Sequence, residues 1–291
     1  MKKIVGVVHG GLSHERDKSL LYGKHVEKIL EMVGFDVLSL HLHPNGSWTV
    51  GGEIKNIEES LKKVDAVWNC LVGVDGENGE LEHLCQKCKT KILGHGTLHT
   101  HLASDKKKMQ YALTQHGIKA PYGKVINKKD YSKEKLLSAF GSVGIPAIVK
   151  PLSSSGVWGV TIVNNFAQLE NAVEYLLSLD MDVLVEKVVP GTHVSCFVLE
   201  HNDLMHTSIK VTDTSAKLSR EDYIKVRNEA LYIHNALAFP HHVEYDFILS
   251  PKGLYFLEAN THPSLVDGYI RQSFKEGPVN LKDYIAGKAR E

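Results

Sequence analysis

The most constraining feature of the sequence lies toward its C-terminal end. There Glu244-Tyr245-Asp246-Phe247-Ile248-Leu249 and Leu254-Tyr255-Phe256-Leu257-Glu258-Ala259-Asn260 bracket Ser250-Pro251-Lys252-Gly253. Aromatic and branched residues around a Pro/Gly spacer predict a β-hairpin. Side chains two apart on a strand share a face, so Glu258 and Asn260 point the same way. With Pro251-Lys252-Gly253 as a three-residue loop and Gly253 left-handed, Ser250 opposes Leu254 and Asp246 falls opposite Glu258. Like carboxylates so placed repel unless a cation lies between them. Two carboxylates and an amide form an oxygen set that suits Mg2+, which is commonly held by one or two carboxylates together with phosphates. The alternative is an exposed polar strand face.

A second pattern is Ala147-Ile148-Val149-Lys150-Pro151-Leu152-Ser153-Ser154-Ser155-Gly156. A buried strand delivers one lysine to a loop of Ser and Gly, whose free N–H groups and hydroxyls can line a phosphate. The G-x-x-x-x-G-K-[ST] order is absent, so this is not a Walker A loop, and a surface turn is the competing reading. A third piece, Val183-Leu184-Val185-Glu186-Lys187-Val188-Val189, is an apolar strand ending in an acid, which suits an adenine pocket but by itself carries no meaning.

Ahead of these lies an alternation of strands (residues 3–8, 36–42 and 64–71) and helices (19–32 and 57–63), which predicts a parallel sheet with helices on both faces. Residues 73–79 hold three glycines and two acids and are expected to be a loop at a strand end. A helix begins near Glu80, and another runs from about 102 to 115, closed by Gly117. The boundary is placed near residue 98. An N-terminal α/β domain then covers 1–98 and a second body 99–291, with a small lobe over about 99–180 and a large one over about 181–291. Strands at 122–126, 146–150 and 183–187, and helices at 133–140, 166–179 and 219–237, complete the reading.

A chain of 291 residues fits two domains at about 150 each. Lys plus Arg and Asp plus Glu both number 34, which leaves no overall field to draw the chain onto nucleic acid or an anionic membrane. No run approaches the length of a membrane helix, and the N-terminal apolar run is too short for a signal peptide, so a cytoplasmic protein is expected. Cys85 and Cys88 form a C-x-x-C with no second ligand pair at zinc spacing, and read as helix thiols.

Taken in order, these pieces resemble the ATP-grasp fold, and within it the D-alanine:D-alanine ligase family. The segment Gly10-Gly11-Leu12-Ser13-His14-Glu15-Arg16-Asp17-Lys18-Ser19-Leu20 is similar to the family's G-G-x-S-x-E-R-x-x-S-L. Residues 69–79 are similar to its N-x-L-H-G-x-x-G-E-D-G, and Gly94-His95-Gly96 through Ser104-Asp105-Lys106 to its G-x-G before a helix with D-K.

The resemblance implies a carboxylate-amine ligase that phosphorylates a carboxylate with ATP and joins the acyl phosphate to an amine. It implies ATP and two Mg2+ ions, with Mn2+ as a substitute, small amino-acid substrates and a homodimer through the N-terminal domain. Lys106 and Lys150 would hold the α- and β-phosphates, and the loop with Ser153, Ser154 and Ser155 would close over the β- and γ-phosphates. Glu186 would meet the adenine amino group, with the Lys187 carbonyl and Val189 N–H on the ring. Asp246, Glu258 and Asn260 would ligate the metals, and Glu15 would meet the first substrate's ammonium group.

The departures are equally specific. Glu244 stands where the family has a substrate-binding arginine, Gly156 where it has a serine hydroxyl, and Val72 where it has a histidine. Lys217-Leu218 replaces a K-Y pair, His193 the ribose-binding glutamate, and Tyr269 falls near the serine that grips the second carboxylate. The nucleotide half is thus better kept than the amino-acid half. A ligase for another amino acid or carboxylate, and a non-catalytic ATP-binding regulator, stay open as alternatives.

Overall fold

Strand β1 (Ile4–Gly10) is buried along nearly its whole length, as a strand covered on both faces must be. The computed structural model describes residues 2–13, 15–153, 158–212 and 217–291. Helix α1 (Arg16–Met32) lays Tyr22, Val26 and Leu30 against Val5, Val7 and Trp68 on one face. On the other face, Val8, Leu40 and Val67 meet Leu61, Leu81 and Cys85. These come from β2 (Asp36–Leu42), α2 (Ile57–Leu61), β5 (Ala66–Asn69) and α4 (Glu80–Cys88).

The first sheet runs β4-β3-β2-β1-β5-β6. Strands β2, β1, β5 and β6 (Lys91–Ile92) are parallel neighbours. The short strands β3 (Trp48–Val50) and β4 (Glu53–Ile54) extend the edge antiparallel. At three and two residues they are too short to show alternation in sequence. The order of the parallel strands reverses at β1, with β2 on one side and β5 on the other, so the crevice at the carboxyl ends of β1 and β5, where open α/β sheets take ligands, is bordered by residues 10–13, 15–16 and 70–79.

Two expectations fail nearby. Residues 73–79 contain a helical turn, α3 (Val74–Glu77), because Gly73 (φ 75°) and Gly79 (φ 80°) flank it in conformations only glycine adopts readily. The helix expected over 102–115 is two helices, α5 (Thr97–Ser104) and α6 (Lys106–Thr114). Asp105 breaks them: its backbone is extended and its carboxylate accepts from the N–H groups of Lys107 and Lys108, an N-cap inside an apolar run.

A second sheet of β7 (Gly123–Ile126), β8 (Ala147–Pro151), β9 (Thr161–Val163) and β10 (Val183–Lys187) runs β7-β10-β8-β9, antiparallel throughout. Helices α7 (Lys133–Val143) and α8 (Phe166–Ser178) cover one face through Leu136, Leu169 and Val173.

The third sheet, β12-β11-β13-β14, contains β11 (Thr192–His201), β12 (Leu204–Val211), β13 (His242–Ser250) and β14 (Gly253–Asn260). The β11–β12 hairpin is absent from the sequence reading, although Asn202 and Asp203 turn it at φ 51° and 60°, as a two-residue hairpin loop demands. Helix α9 (Arg220–Ala236) buries Val226, Ala230 and Ile233 on the face that carries Val194, Cys196, Tyr245 and Phe247. The opposite face carries Ser195, Phe197, Glu244 and Asp246.

The last helices, α10 (Gly268–Glu276) and α11 (Leu281–Arg290), escaped detection in the sequence and return to the first sheet. Their Ile270, Phe274, Tyr284 and Ile285 share one core with Tyr22 and Val26. Mixed parallel and antiparallel sheets in this order make the α/β plus two-lobed α+β architecture expected from the sequence.

Candidate active site

The β13–β14 hairpin turns differently from expectation yet reaches the expected pairing. Ser250 opposes Gly253, which leaves a two-residue loop, Pro251-Lys252. The frame then runs to Phe247 opposite Phe256, and a bulge at Asp246/Phe247 lets Leu257 pass without a partner, so Asp246 meets Glu258. Bulges re-aim side chains in this way beside active sites. The register continues across the sheet as Lys210, Ser195, Asp246 and Glu258, with Phe197, Glu244 and Asn260 in the next row.

Burial and the facing Glu258 push the Asp246 carboxyl up to about 6, against the hydroxyl of Ser195, which donates to Asp246 Oδ1 at 2.5 Å. Glu244 is raised to about 7 by burial and by Asp246, and its Oε1 accepts from Tyr269 Oη at 2.8 Å. Crowded acids of this kind gain from a cation. Among the described residues no set of three His, Cys, Asp or Glu side chains has metal-holding geometry by itself. Asp246 and Glu258 face each other across the hairpin with Asn260 in the next row, an oxygen set of the kind a hard cation would share with phosphate oxygens.

The lysines are already engaged. Lys106, the first residue of α6, places Nζ 3.1 Å from Glu258 Oε2, with only 4% of its side chain exposed. Lys150 Nζ lies 2.5 Å from Glu186 Oε2, and Gln110 Nε2 donates to Glu186 Oε1 at 2.6 Å. Both oxygens of Glu186, the group read as meeting the adenine amino group, are thus held by Lys150 and by Gln110, a residue the sequence did not single out. Lys187 is exposed and its N–H donates to Tyr122 O. Val189 is half-buried beyond the end of β10.

His193 lies beside the carboxylates: its Nδ1 meets Thr212 Oγ1 at 2.6 Å and its Nε2 lies 3.7 Å from Asp246 Oδ1. Glu15 caps α1 beside Gly73 and pairs with Lys18 at 3.1 Å. A Cβ on Gly73 would come within 2.3 Å of Glu15 Oε2 and would displace that carboxylate, and the φ of 75° there favours glycine. Lys217 is exposed, and no hydrogen bond or ion pair joins it to the other candidates among the described residues. Ser154, Ser155 and Gly156 lie outside the described residues.

A cavity of about 480 Å3 opens between these elements. Lys106, Ser153, Glu258 and Asn260 line it together with Glu77 and Asn78 of the first-sheet loop. Cys85 and Cys88 lie elsewhere, buried and free.

Comparison with known proteins resolves the family. Residues 113–215 match the family model described as D-ala D-ala ligase C-terminus. A D-alanine–D-alanine ligase of Desulforamulus reducens is 30% identical over 288 residues, covering 90% of this chain and 89% of the relative. The chain belongs to the D-alanine–D-alanine ligase family.

The D-alanine–D-alanine ligase of Trichlorobacter lovleyi is 29% identical over 283 residues, covering 91% of this chain and 86% of the relative. In fold, the chain is similar to the VanG D-Ala:D-Ser ligase of Enterococcus faecalis, with TM-score 0.83, 20% identity and coverage of 100% and 99% of the two chains. It is also similar to the ATP complex of the Bacillus anthracis D-alanine–D-alanine ligase, with TM-score 0.79, 21% identity and coverage of 99% and 98%. The family is one of ATP-dependent ligases, and no helix of this chain among the described residues is long and apolar enough to cross a membrane.

Proposed function

We propose that the protein joins two D-amino acids, D-alanine first among them, at the expense of ATP. The observation that carries this reading is the in-register Asp246–Glu258 pair with Lys106 against it, completed by Lys150 on a separate sheet. In the reaction the first substrate's carboxylate oxygen attacks the γ-phosphorus and ADP leaves. The second substrate's amine then attacks the acyl carbon, loses a proton and expels phosphate.

Lys106 and Lys150 exchange their carboxylate partners for phosphate oxygens, contacts of the same charge-assisted kind. With Lys106 on phosphate, Glu258 would be free to hold a metal ion with Asp246 and Asn260, and Mg2+ held there would supply charge to offset the triphosphate and the transferring phosphoryl group. Glu15, held against Gly73, receives the first substrate's ammonium group. Closure of the cavity keeps water from the acyl phosphate. The family reading adds a role in supplying D-amino-acid dipeptides for peptidoglycan, residence in the cytoplasm and assembly as a homodimer.

A second reading, a ligase with a different acceptor, is favoured by one observation: a carboxylate, Glu244, stands beside Asp246 and Asn260 with Tyr269 bound to it. Release of ADP measured with ATP, Mg2+ and a panel of D- and L-amino acids tests both. D-Alanine-dependent ADP release supports the first reading, release with another amine alone supports the second, and none with any amine contradicts ligase activity.

A further inference from the structure

Asn260 is held by a buried chain that begins in the first sheet. The backbone N–H of His262 donates to Asn260 Oδ1 at 2.8 Å, which takes one of that oxygen's lone pairs and leaves the other for a cation. The His262 ring is itself pinned on both sides. Its Nδ1 lies 2.9 Å from Thr261 Oγ1, and its Nε2 lies 3.1 Å from Glu82 Oε1. The ring thus faces a hydroxyl at one nitrogen and a carboxylate at the other.

Glu82 and His262 are only 2% and 7% exposed. A carboxylate so deeply buried is strongly disfavoured without partners, so it fixes the groups that satisfy it. Its other partner is Asn69, whose Nδ2 donates to Glu82 Oε1 at 3.0 Å and to Gly76 O at 3.1 Å. Asn69 Oδ1 accepts from Leu71 N–H at 2.9 Å. The same amide therefore shapes the loop that carries Glu77 and Asn78 to the cavity that Asn260 also lines.

We propose that Glu82 and His262 are positioning residues that set Asn260 for metal and tie it to the first-sheet loop that lines the same cavity. This rests on the metal reading of Asp246, Glu258 and Asn260. Neither side chain is asked to touch substrate or ion.

The test is Mn2+ affinity, read by electron paramagnetic resonance with a non-hydrolysable ATP analogue on the full chain. The double variant Glu82→Leu/His262→Leu replaces the pair with apolar side chains and leaves no buried charge. We expect it to bind Mn2+ about 10- to 100-fold more weakly, as loss of groups behind metal ligands does, with metal-free nucleotide affinity unchanged. Should the double variant not fold, Glu82→Leu alone carries the same expectation. Glu82→Gln keeps the Oε1 that accepts from Asn69 and lies beside His262 Nε2, and should hold Mn2+ within about twofold of the unaltered protein. A folded leucine variant with unchanged Mn2+ affinity, or one in which metal-free nucleotide affinity falls equally, overturns the proposal. An unaltered protein that binds no Mn2+ instead removes the metal reading beneath it.

Discussion

Tyr269 Oη donates a 2.8 Å hydrogen bond to Glu244 Oε1, so the helix after the hairpin closes onto a carboxylate two residues before Asp246. An arginine at this position offers a carboxylate two parallel hydrogen bonds, whereas an ionised glutamate repels it.

The first prediction concerns substrate. Steady-state kinetics with D-alanine should give a poorer KM for the second amino acid than for the first, because Glu15 is in place while an anion-binding group is missing from Glu244. Glu244→Arg should lower the second KM by about tenfold, the size of one charge-assisted hydrogen bond. Equal KM values, or a variant that changes neither, would show that the acceptor carboxylate binds elsewhere.

The second concerns pH. Glu244 at about 7 and Asp246 at about 6 hold protons in the folded protein that the unfolded chain has released, so between about pH 4.5 and 7 they lower stability as pH rises. Buried histidines act the other way: burial and neighbouring histidines hold His234 down to about 4, and burial lowers His95 and His242 well below the usual range. They cost stability as pH falls from about 6.5 toward 4. The opposing slopes are separated by substitution. Asp246→Asn should raise the melting temperature of the ligand-free protein more at pH 8 than at pH 4.5, by the equivalent of about 1–3 kcal/mol. A shift equal at both pH values would count against the crowded carboxylates.

The third concerns Lys150. Its Nζ compensates Glu186, a carboxylate whose side chain is 1% exposed, so removing the lysine strands a buried charge. Lys150→Met should destabilise the fold by about 3–5 kcal/mol in urea unfolding. Adding Glu186→Gln should restore much of that loss. ATP affinity by calorimetry should stay weak in both variants, because a phosphate contact is missing from each. Recovery of ATP binding in the double variant would place Lys150 outside the nucleotide site.

Much of this was legible from residue type alone, and the failures share a cause. The Asp246–Glu258 pairing follows from alternation on two strands, but the route to it does not: the turn is one residue shorter than expected, and the bulge that offsets it at Leu257 leaves no mark in the alternation. Asp105 reads as one more polar residue in a helical stretch until its carboxylate is seen capping α6. Gln110, Ser195 and Glu82 carry no motif. Each gains its role from a residue distant in sequence, 76 positions away for Gln110 and Glu186 and 51 for Ser195 and Asp246. Helices α10 and α11 are fixed by packing between the first and third sheets, information that resides in Tyr22, Val26, Trp68, Phe197 and Leu199 rather than in the helices themselves.

The most direct measurement is product stoichiometry in the unaltered protein and in Glu258→Gln, with ATP, Mg2+ and D-alanine. The account predicts one D-alanyl-D-alanine per phosphate released by the unaltered protein. It predicts a loss of about a hundredfold or more in the variant at unchanged circular dichroism, because the amide carries no charge to help hold the metal. Phosphate release without dipeptide, or a variant as active as the unaltered protein, would contradict it.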